Sequence, residues 1–527
     1  MVRLNNLFLD LNTNFSDLQN EIAKKLNIKP EIIREAKLLR KSVDARNKND
    51  IKFCVSVLLK LNCDEAKFIK RNKNASLYKE EKYVYKKANE KHTAVVVGFG
   101  PAGMFAALTL IKAGVNVIVL ERGKSIEERE KDVNRFFKTG ELNQNSNIQF
   151  GEGGAGTFSD GKLNTGIKDA LCKEVLESFV NFGANSNILY EAKPHIGTDI
   201  LKNVVKNLRE EIIKQGAAIK FNSLVTDFAC KNNKITSVTV NNGEVVNCDA
   251  VILAIGHSAR DTFALLKEKS VQLCRKPFSV GVRIEHKRED IDKAMYGSFA
   301  GHSALGAADY KLATHLQNGR GVYSFCMCPG GYVVNASSQE KAVCINGMSY
   351  SLRDGENSNS ALLVEVKPED LKGDDVLEGC RFQQNIEKTA YTLANGGVPI
   401  TTVGNFVYNL PFKLGKVKPT VLPKTEYVDF NKIFPEFVSS SLKQGIINFG
   451  KNINGFNNEE AVLLAPETRS SSPIRILRNQ EKQALNIKGL FPAGEGAGYA
   501  GGIMSAAVDG IRVAEAVVDY FNLQTNN

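Results

Sequence analysis

Three features of the sequence predict an α/β fold built from three units. A strand, a glycine-rich turn and a helix follow one another from Thr93 onward, as at the start of a βαβ unit. The charge density falls sharply after residue 92, and the strand–helix alternation breaks after about residue 276. We therefore expect an N-terminal α+β domain (1–92), a Rossmann-type domain (93–275 and 481–527) and an inserted mostly-β domain (276–480).

The N-terminal unit is small and basic. Residues 1–92 contain 21 Lys or Arg and 12 Asp or Glu, so their charge of +9 accounts for most of the +11 of the chain. Strand-like runs at 4–11 and 51–61 and helical periodicity at 14–26 suggest a ferredoxin-like unit, with a polar loop at 40–48. Such a surface could bind nucleic acid, but a solvated basic face is favoured because no RNA-binding pattern is present.

The composition is that of a soluble globular protein. The chain has 527 residues, of which 43% are hydrophobic and 24% are charged. No N-terminal run resembles a signal peptide and no apolar stretch reaches the roughly 18 residues of a membrane span, so we expect a cytoplasmic protein without a membrane partner. Its ten cysteines are scattered, which favours reduced thiols over a disulfide framework. The oligomeric state is left open.

The turn after the first strand of the second unit has the spacing of a dinucleotide-binding site. Gly98 permits the tight turn, Gly100 lets the backbone approach a diphosphate, and Gly103 lets the helix pack on the strand. Pro101 suits the first turn of the helix, whose N-terminus attracts phosphate. Glu121 follows a second buried strand, 18 positions after Gly103, where an acid suits a ribose hydroxyl.

Three later segments belong with this turn. The segment 147–163 is rich in glycine and repeats the G-x-G-x-x-G spacing, but without a preceding buried strand, so it indicates a loop laid against a ligand rather than a second such fold. The segment 248–257 is a buried strand that ends in Ala-Ile-Gly-His. The segment 489–498 ends in Ala-Gly-Glu and leads through small residues into an amphipathic helix.

Together these four segments resemble the FAD-binding flavoproteins of glutathione-reductase type, which have two dinucleotide-binding domains. Nearly the whole chain also resembles uncharacterised bacterial FAD-dependent dehydrogenases, with signature-like phrases at 192–199 and 325–331. The resemblance implies FAD as the cofactor and a strand near Val225 that touches its adenine end. This chain has Glu495 where that superfamily has Asp.

The residues expected to bind the cofactor come from these segments. They are Gly98, Gly100, Pro101, Ala102, Gly103, Glu121, Arg122, Gly153, Gly156, Thr157, Asp160, Gly161, Lys162, Val225, Ala254, Gly256, Gly494, Glu495, Gly502 and Ile503.

Candidate catalytic groups come mainly from the insert. Cys326 and Cys328 form a C-x-C pair, for which redox chemistry is an alternative to core filling, and further metal ligands are not in view. His195 could act as an acid or base, and Arg283 could hold a carboxylate. Each also has a structural interpretation, as a capped surface histidine and as an arginine that lies along an apolar surface.

The sequence therefore favours an oxidoreductase that moves a hydride between FAD and a small organic substrate. The lack of a second complete βαβ fingerprint argues against a stable NADPH domain and leaves NAD(P)H open as a transient electron donor. A flavin-dependent RNA-modifying protein and a flavin-binding protein without turnover are the alternatives.

Overall fold

The computed structural model describes residues 1–80 and 83–524. Residues 81, 82 and 525–527 lie outside the described part. The first two belong to a stretch, 70–91, whose sequence predicts a charged connector, and the other three to the predicted domain segment 481–527.

The N-terminal unit is a four-stranded antiparallel sheet with two helices. Its strand order is β2-β3-β1-β4, and this order with a βαββαβ chain path is a ferredoxin-like arrangement. Residues 40–44 belong to strand β2, so the predicted loop at 40–48 is wrong in its first half. β2 is an edge strand with many exposed side chains, which explains its polar sequence. The elements are β1 (Val2–Asp10), α1 (Leu18–Leu26), β2 (Ile33–Asp44), β3 (Lys52–Leu61), α2 (Glu65–Arg71) and β4 (Ala75–Leu77).

The next part of the chain contains most of a parallel sheet and a small antiparallel meander. The meander, β8 to β10, follows a turn at Asn222, whose φ of 54° interrupts the single strand expected over 218–228. The elements are β5 (Thr93–Val97), α3 (Pro101–Lys112), β6 (Asn116–Leu120), α4 (Ile126–Thr139), α5 (Leu171–Asn181), α6 (Thr198–Lys214), β7 (Ala218–Lys220), β8 (Val225–Lys231), β9 (Lys234–Val240), β10 (Glu244–Asn247), β11 (Ala250–Leu253), α7 (Arg260–Glu268) and β12 (Leu273–Arg275).

The insert is α+β, and not mostly β as the sequence predicts. Helices α9 and α11 each bury one face, and their amphipathic pattern was missed in the polar stretches that contain them. The elements of the insert are β13 (Phe278–Lys287), α8 (Arg288–Tyr296), β14 (Ala313–His315), β15 (Gly321–Cys328), β16 (Tyr332–Asn335), β17 (Ile345–Met348), β18 (Asn357–Val366), α9 (Glu378–Leu393), β19 (Val398–Thr402), α10 (Val403–Tyr408), β20 (Thr425–Tyr427), α11 (Glu436–Gly450), β21 (Val462–Glu467) and β22 (Ile474–Ile476). The chain ends with β23 (Leu490–Pro492) and α12 (Ile503–Gln524).

The parallel sheet has the order β23-β11-β5-β6-β7, with β5 at its centre. Helices α3 and α12 pack against each other and both contact this sheet, and two glycines allow α3 to lie close to the turn after β5 and to α12. A Cβ at Gly103 would overlap the carbonyl oxygen of Gly98, and a Cβ at Gly510 would overlap that of Ala102. The glycine turn is therefore held from both sides.

The insert joins the rest of the chain through a two-stranded ladder. Strands β12 and β22, where the chain enters and leaves the insert, pair antiparallel. The main sheet of the insert has the order β14-β15-β18-β13-β21-β19-β20, and its hydrophobic core is continuous with that of the N-terminal unit. Residues of β15 in this sheet line the same cavity as residues that follow the parallel strands β5, β6 and β11.

Candidate functional site

A cavity of about 680 Å³ lies between the parallel sheet and the insert. Its first wall consists of residues that follow strands β5, β6 and β11, including Gly98, Glu121 and Ala254. Its opposite wall includes Tyr310 and Phe325 of the insert. In open α/β sheets ligands bind outside the carboxyl ends of the strands, and the cavity occupies that position.

The glycine turn brings backbone rather than side chains to the cavity. Gly98 has a φ of +96°, and a Cβ there would overlap the Ala254 carbonyl oxygen. Gly100 precedes helix α3, and no side chain of the described residues caps that helix. A Cβ at Gly100 would meet only the backbone of Gly154, at 3.6 Å, so the protein itself has room for a methyl group there. The uncapped helix N-terminus is suited to an anionic group.

Glu121 is held by backbone N–H groups at the cavity wall. Its Oε2 accepts a hydrogen bond from Phe99 N at 2.8 Å, and its Oε1 accepts from Gly123 N at 2.9 Å and Gly151 N at 3.0 Å. The carboxylate therefore ties three turns together. A carboxylate oxygen has two acceptor sites, so Oε2 keeps capacity for one further donor.

The glycine-rich loop is organised by Arg129, a residue of α4 that the sequence does not single out. Its fully buried guanidinium donates to five backbone carbonyls between residues 147 and 154. A Cβ at Gly151 would overlap this side chain, and a Cβ at Gly153 would overlap Thr157. Burial lowers the pKa of Arg129 to about 10, so it stays charged at neutral pH. Only glycines allow the loop to close around it.

The C-terminal segment adds an acid and a histidine to the wall. Glu495 Oε1 lies 3.4 Å from His257 Nδ1, and His257 Nε2 is buried without a hydrogen-bond partner among the described residues. Asp509 of α12 accepts from Gly494 N at 2.7 Å and pairs with Arg478, which fixes the turn after β23. His257 was not predicted, although it directly follows the Ala-Ile-Gly strand end.

A cluster at the cavity contains Asp160, Lys162 and His195. Lys162 lines the cavity wall, and the other two lie in the layer behind it. Burial alone would raise the pKa of Asp160, but the charges of Lys162 and Arg353 hold it well below its usual range. Burial, with a contribution from the charge of Arg353, lowers the pKa of His195 to about 4. His195 is therefore neutral at pH 7, and it pairs with Lys162 in an isolated backbone bridge.

Arg283 does not reach the cavity wall. It is fully buried, and Glu467 binds it through both carboxylate oxygens, at 2.7 and 2.8 Å. Its remaining donors go to Asn359 Oδ1 at 2.8 Å, Cys326 O at 3.1 Å and Asn346 Oδ1 at 3.4 Å. With its donors engaged inside the protein, Arg283 is poorly placed to hold a substrate carboxylate, and the largely buried Glu467, not Arg283, lines the cavity.

The predicted cofactor residues divide between the wall and the layer behind it. The wall includes Gly98, Gly100, Pro101, Ala102, Glu121, Arg122, Gly156, Lys162, Val225, Ala254, Gly256, Glu495, Gly502 and Ile503. The supporting layer behind it contains Gly103, Gly153, Thr157, Asp160, Gly161 and Gly494, with the candidate catalytic residues His195, Arg283 and Cys328.

Two negative findings apply to the described residues. Across residues 1–80 and 83–524, no group of three or more His, Cys, Asp or Glu side chains is placed to hold a metal ion. In the same residues, no helix is both long and apolar enough to cross a bilayer.

Family models match four parts of the chain. They are a FAD-dependent protein, C-terminal domain-like, at 277–470, a FAD binding domain at 93–128, a flavin containing amine oxidoreductase at 122–278, and a domain of unknown function at 1–60. A protein of Clostridium beijerinckii described as uncharacterized is 46% identical over an alignment that covers 99% of each chain.

Three solved structures that resemble the chain are more distant in sequence. Glycine oxidase from Bacillus cereus is 12% identical with a TM-score of 0.35, over 81% of this chain and 94% of that one. CtdE in complex with FAD is 11% identical with a TM-score of 0.32, over 83% and 89%. The flavin-dependent brominase Bmp2 is 11% identical with a TM-score of 0.36, over 82% and 80%. These values do not define the fold of this chain.

Proposed function

Because the chain belongs, with its Clostridium beijerinckii relative, to a family of FAD-dependent flavoproteins, we propose that it is an oxidoreductase that transfers a hydride between bound FAD and a small organic substrate. One observation carries the proposal. A single cavity is lined by all four glycine-rich or strand-end segments and continues to the insert sheet, so one ligand can meet both.

The residues present fit FAD. The uncapped N-terminus of α3 beside Gly100 suits the diphosphate, and the remaining acceptor site of Glu121 Oε2 suits a ribose hydroxyl. The unpartnered Nε2 of His257 is a buried polar atom that a bound ligand would satisfy. FAD, when bound, supplies a two-electron acceptor and donor. The chain supplies its orientation and electrostatics.

The substrate side is formed by the insert. Tyr310, Phe325 and Cys326 face the same cavity as the cofactor segments, and Lys193 pairs with Asp309 at 2.7 Å in its wall. Aromatic and aliphatic groups there exclude water from a bound substrate, and Lys311, which also lines the cavity, favours an anionic or polar one. NAD(P)H remains a candidate for the electron donor.

The cofactor assignment can be tested with two alanine variants of one motif. Gly100→Ala places a methyl group where the protein has room but a diphosphate would approach, so we expect at least a tenfold weaker affinity for FAD with unchanged thermal stability of the apoprotein. Gly103→Ala is the matched control, because its methyl group overlaps Gly98 and should destabilise the apoprotein itself. A Gly100→Ala protein that binds FAD with the wild-type affinity would overturn the assignment.

The redox assignment needs a separate measurement. We would titrate the FAD-loaded protein anaerobically with NADH, NADPH and a panel of small alcohols, amines and hydroxy acids while recording the visible spectrum. Bleaching of the flavin by one of them identifies the hydride donor. A flavin that none of them reduces, and whose reduced form no organic acceptor oxidises, would favour a flavin-binding protein without turnover.

A further inference from the structure

Cys326 and Cys328 lie at a bulge that turns strand β15 toward the cavity. In the pairing of β15 with β18, Phe325 lies opposite Ala361 and Cys328 opposite Asn359, so three steps on β15 match two on its partner. Cys326 has a φ of 43°, in the left-handed region that residues with a Cβ rarely adopt. Such backbone strain persists where the surroundings impose it, often at functional sites.

The two thiols differ in exposure. Cys326 is partly exposed and forms part of the cavity wall, whereas Cys328 is fully buried directly behind it. The Cys328 thiol also lies 3.3 Å from the Cys326 carbonyl oxygen. Cys326 therefore lies where a ligand in the cavity can reach it, and Cys328 lies in the layer behind.

The charges around the pair favour one thiolate. Hydrogen bonding from Cys328 lowers the pKa of Cys326 to about 5, helped by the charges of Lys162 and Arg283 and opposed by burial. The same hydrogen bond raises the pKa of Cys328. Lys162 Nζ lies 4.0 Å from Cys328 Sγ and donates to Met327 O.

The acids that face the pair are both neutralised. Asp160 lies 3.3 Å from Lys162 Nζ and is also bound by Arg353, and Glu467 is bound by Arg283. The net charge around the two sulfur atoms is therefore positive. Positive charge stabilises a thiolate, which is the nucleophilic form of cysteine.

We propose that Cys326 and Cys328 are a redox dithiol that passes two electrons from reduced FAD to a small organic disulfide in the cavity. The Cys326 thiolate attacks one sulfur of the substrate, which breaks the substrate S–S bond, forms a mixed disulfide and releases one thiolate. Cys328 gives its proton to that thiolate, and the resulting Cys328 thiolate attacks the Cys326 sulfur of the mixed disulfide. This forms the Cys326–Cys328 disulfide and releases the second substrate thiolate, which takes a proton from water. The substrate gains two electrons, and the pair loses two.

The reduced flavin restores the dithiol by returning two electrons, with protons from water. This part of the inference rests on the proposed function, whereas the thiol exchange does not. The experiments therefore test the two parts separately.

The first experiment measures alkylation of Cys326 by iodoacetamide between pH 4 and 9, with peptide mass spectrometry. We expect the half-maximal rate at Cys326 to lie at a lower pH than at the exposed Cys63, and to shift to higher pH by at least one unit in Cys328→Ala. Lys162→Met should shift it in the same direction and serves if Cys328→Ala does not fold. The exposed Cys63 of the same sample is the internal reference. A Cys326 that alkylates only above pH 8, or a midpoint that neither variant moves, overturns the proposal.

The second experiment uses 5,5′-dithiobis(2-nitrobenzoate) as the disulfide probe. The wild-type protein should form an internal Cys326–Cys328 disulfide and release two thionitrobenzoate ions from this site, whereas Cys328→Ala should stop at a mixed disulfide and release one. A wild-type protein that also stops at the mixed disulfide contradicts the pair.

The third experiment counts electrons in the FAD-loaded, oxidised protein under anaerobic dithionite titration. The wild type should take up four electrons per flavin before it is fully bleached, and Cys328→Ala should take up two. Uptake of two by the wild type, or failure to bind FAD, overturns the exchange with flavin. If the protein fails to bind FAD, that failure is assigned to the proposed function, because the alkylation and probe results still decide whether the dithiol exists.

Discussion

Replacing Arg129 by methionine should loosen the glycine-rich loop without disturbing the helix that carries the arginine. The guanidinium donates to five carbonyls, including Asn147 O at 2.8 Å, Ile148 O at 2.9 Å and Gly154 O at 3.0 Å. Methionine fills much of the volume of the stem but has no donor to offer. The change therefore removes the hydrogen bonds while leaving α4 intact.

The size of the effect follows from these contacts. A buried acceptor that loses its donor costs about 1–3 kcal/mol, so five of them set an upper limit near 5–15 kcal/mol. The loop borders a cavity and can relax or admit water, which lowers the expected loss to about 3–5 kcal/mol, the range for removing one partner of a buried charged contact. At 1.4 kcal/mol per factor of ten, local opening should increase about 10²- to 10⁴-fold.

Amide hydrogen exchange of the segment 147–158 measures this opening directly. Arg135→Met is the matched control, because Arg135 lies on the same helix, is about half exposed and pairs through its side chain with Asp132. Exchange should accelerate in Arg129→Met and remain near wild type in Arg135→Met, and the affinity for FAD should fall only in the first. Equal exchange in the two variants would show that the loop is held by its own turns and not by Arg129.

Three further variants test other parts of the structure. Arg283→Met leaves Glu467 buried and unpaired, so we expect a loss of about 3–5 kcal/mol in urea unfolding; an unchanged stability with a raised substrate KM would instead favour Arg283 as a carboxylate anchor. Burial raises the pKa of Glu285 to about 7 from 4.5, so the folded state binds its proton more tightly and loses stability as the pH rises from 4.5 through 7. Glu285→Gln should remove about 3 kcal/mol of this loss at pH 8 and much less at pH 5, and parallel pH profiles of the two proteins would contradict this. Glu121→Gln places an amide donor against a backbone N–H such as that of Phe99, so both FAD affinity and the melting temperature of the apoprotein should fall. In Gly100→Ala only the FAD affinity should fall.

The sequence was most informative where one residue type has one physical role. Gly98 and Gly103 allow contacts that any Cβ would block, and both lie where the spacing predicts. The position of Glu121 beside the turn was also predictable, because a strand and a helix of ordinary length separate them. Its three backbone donors were not, since they come from turns whose path depends on the fold.

The features that the sequence did not reveal depend on tertiary contacts. Arg129 is one charged residue among many on a polar helix, and its role appears only when the loop at 147–154 wraps around it. The bulge at Cys326 depends on the register of β15 against β18. Helix α9 is amphipathic, but its buried polar residues, Gln383 and Glu387, hide its apolar face. Local pattern cannot supply such information.

The N-terminal unit contributes to the cavity through backbone contacts rather than through its charge. Lys41 N donates to Tyr190 O at 2.6 Å and Ala192 N donates to Lys41 O at 2.7 Å, so the edge strand β2 pairs with the segment that leads to Lys193 and His195. Lys193 lines the cavity. Because the backbone of β2 is hydrogen-bonded at this point, the N-terminal unit fixes one rim of the cavity. This structural role does not require the basic side chains of the unit to bind a partner.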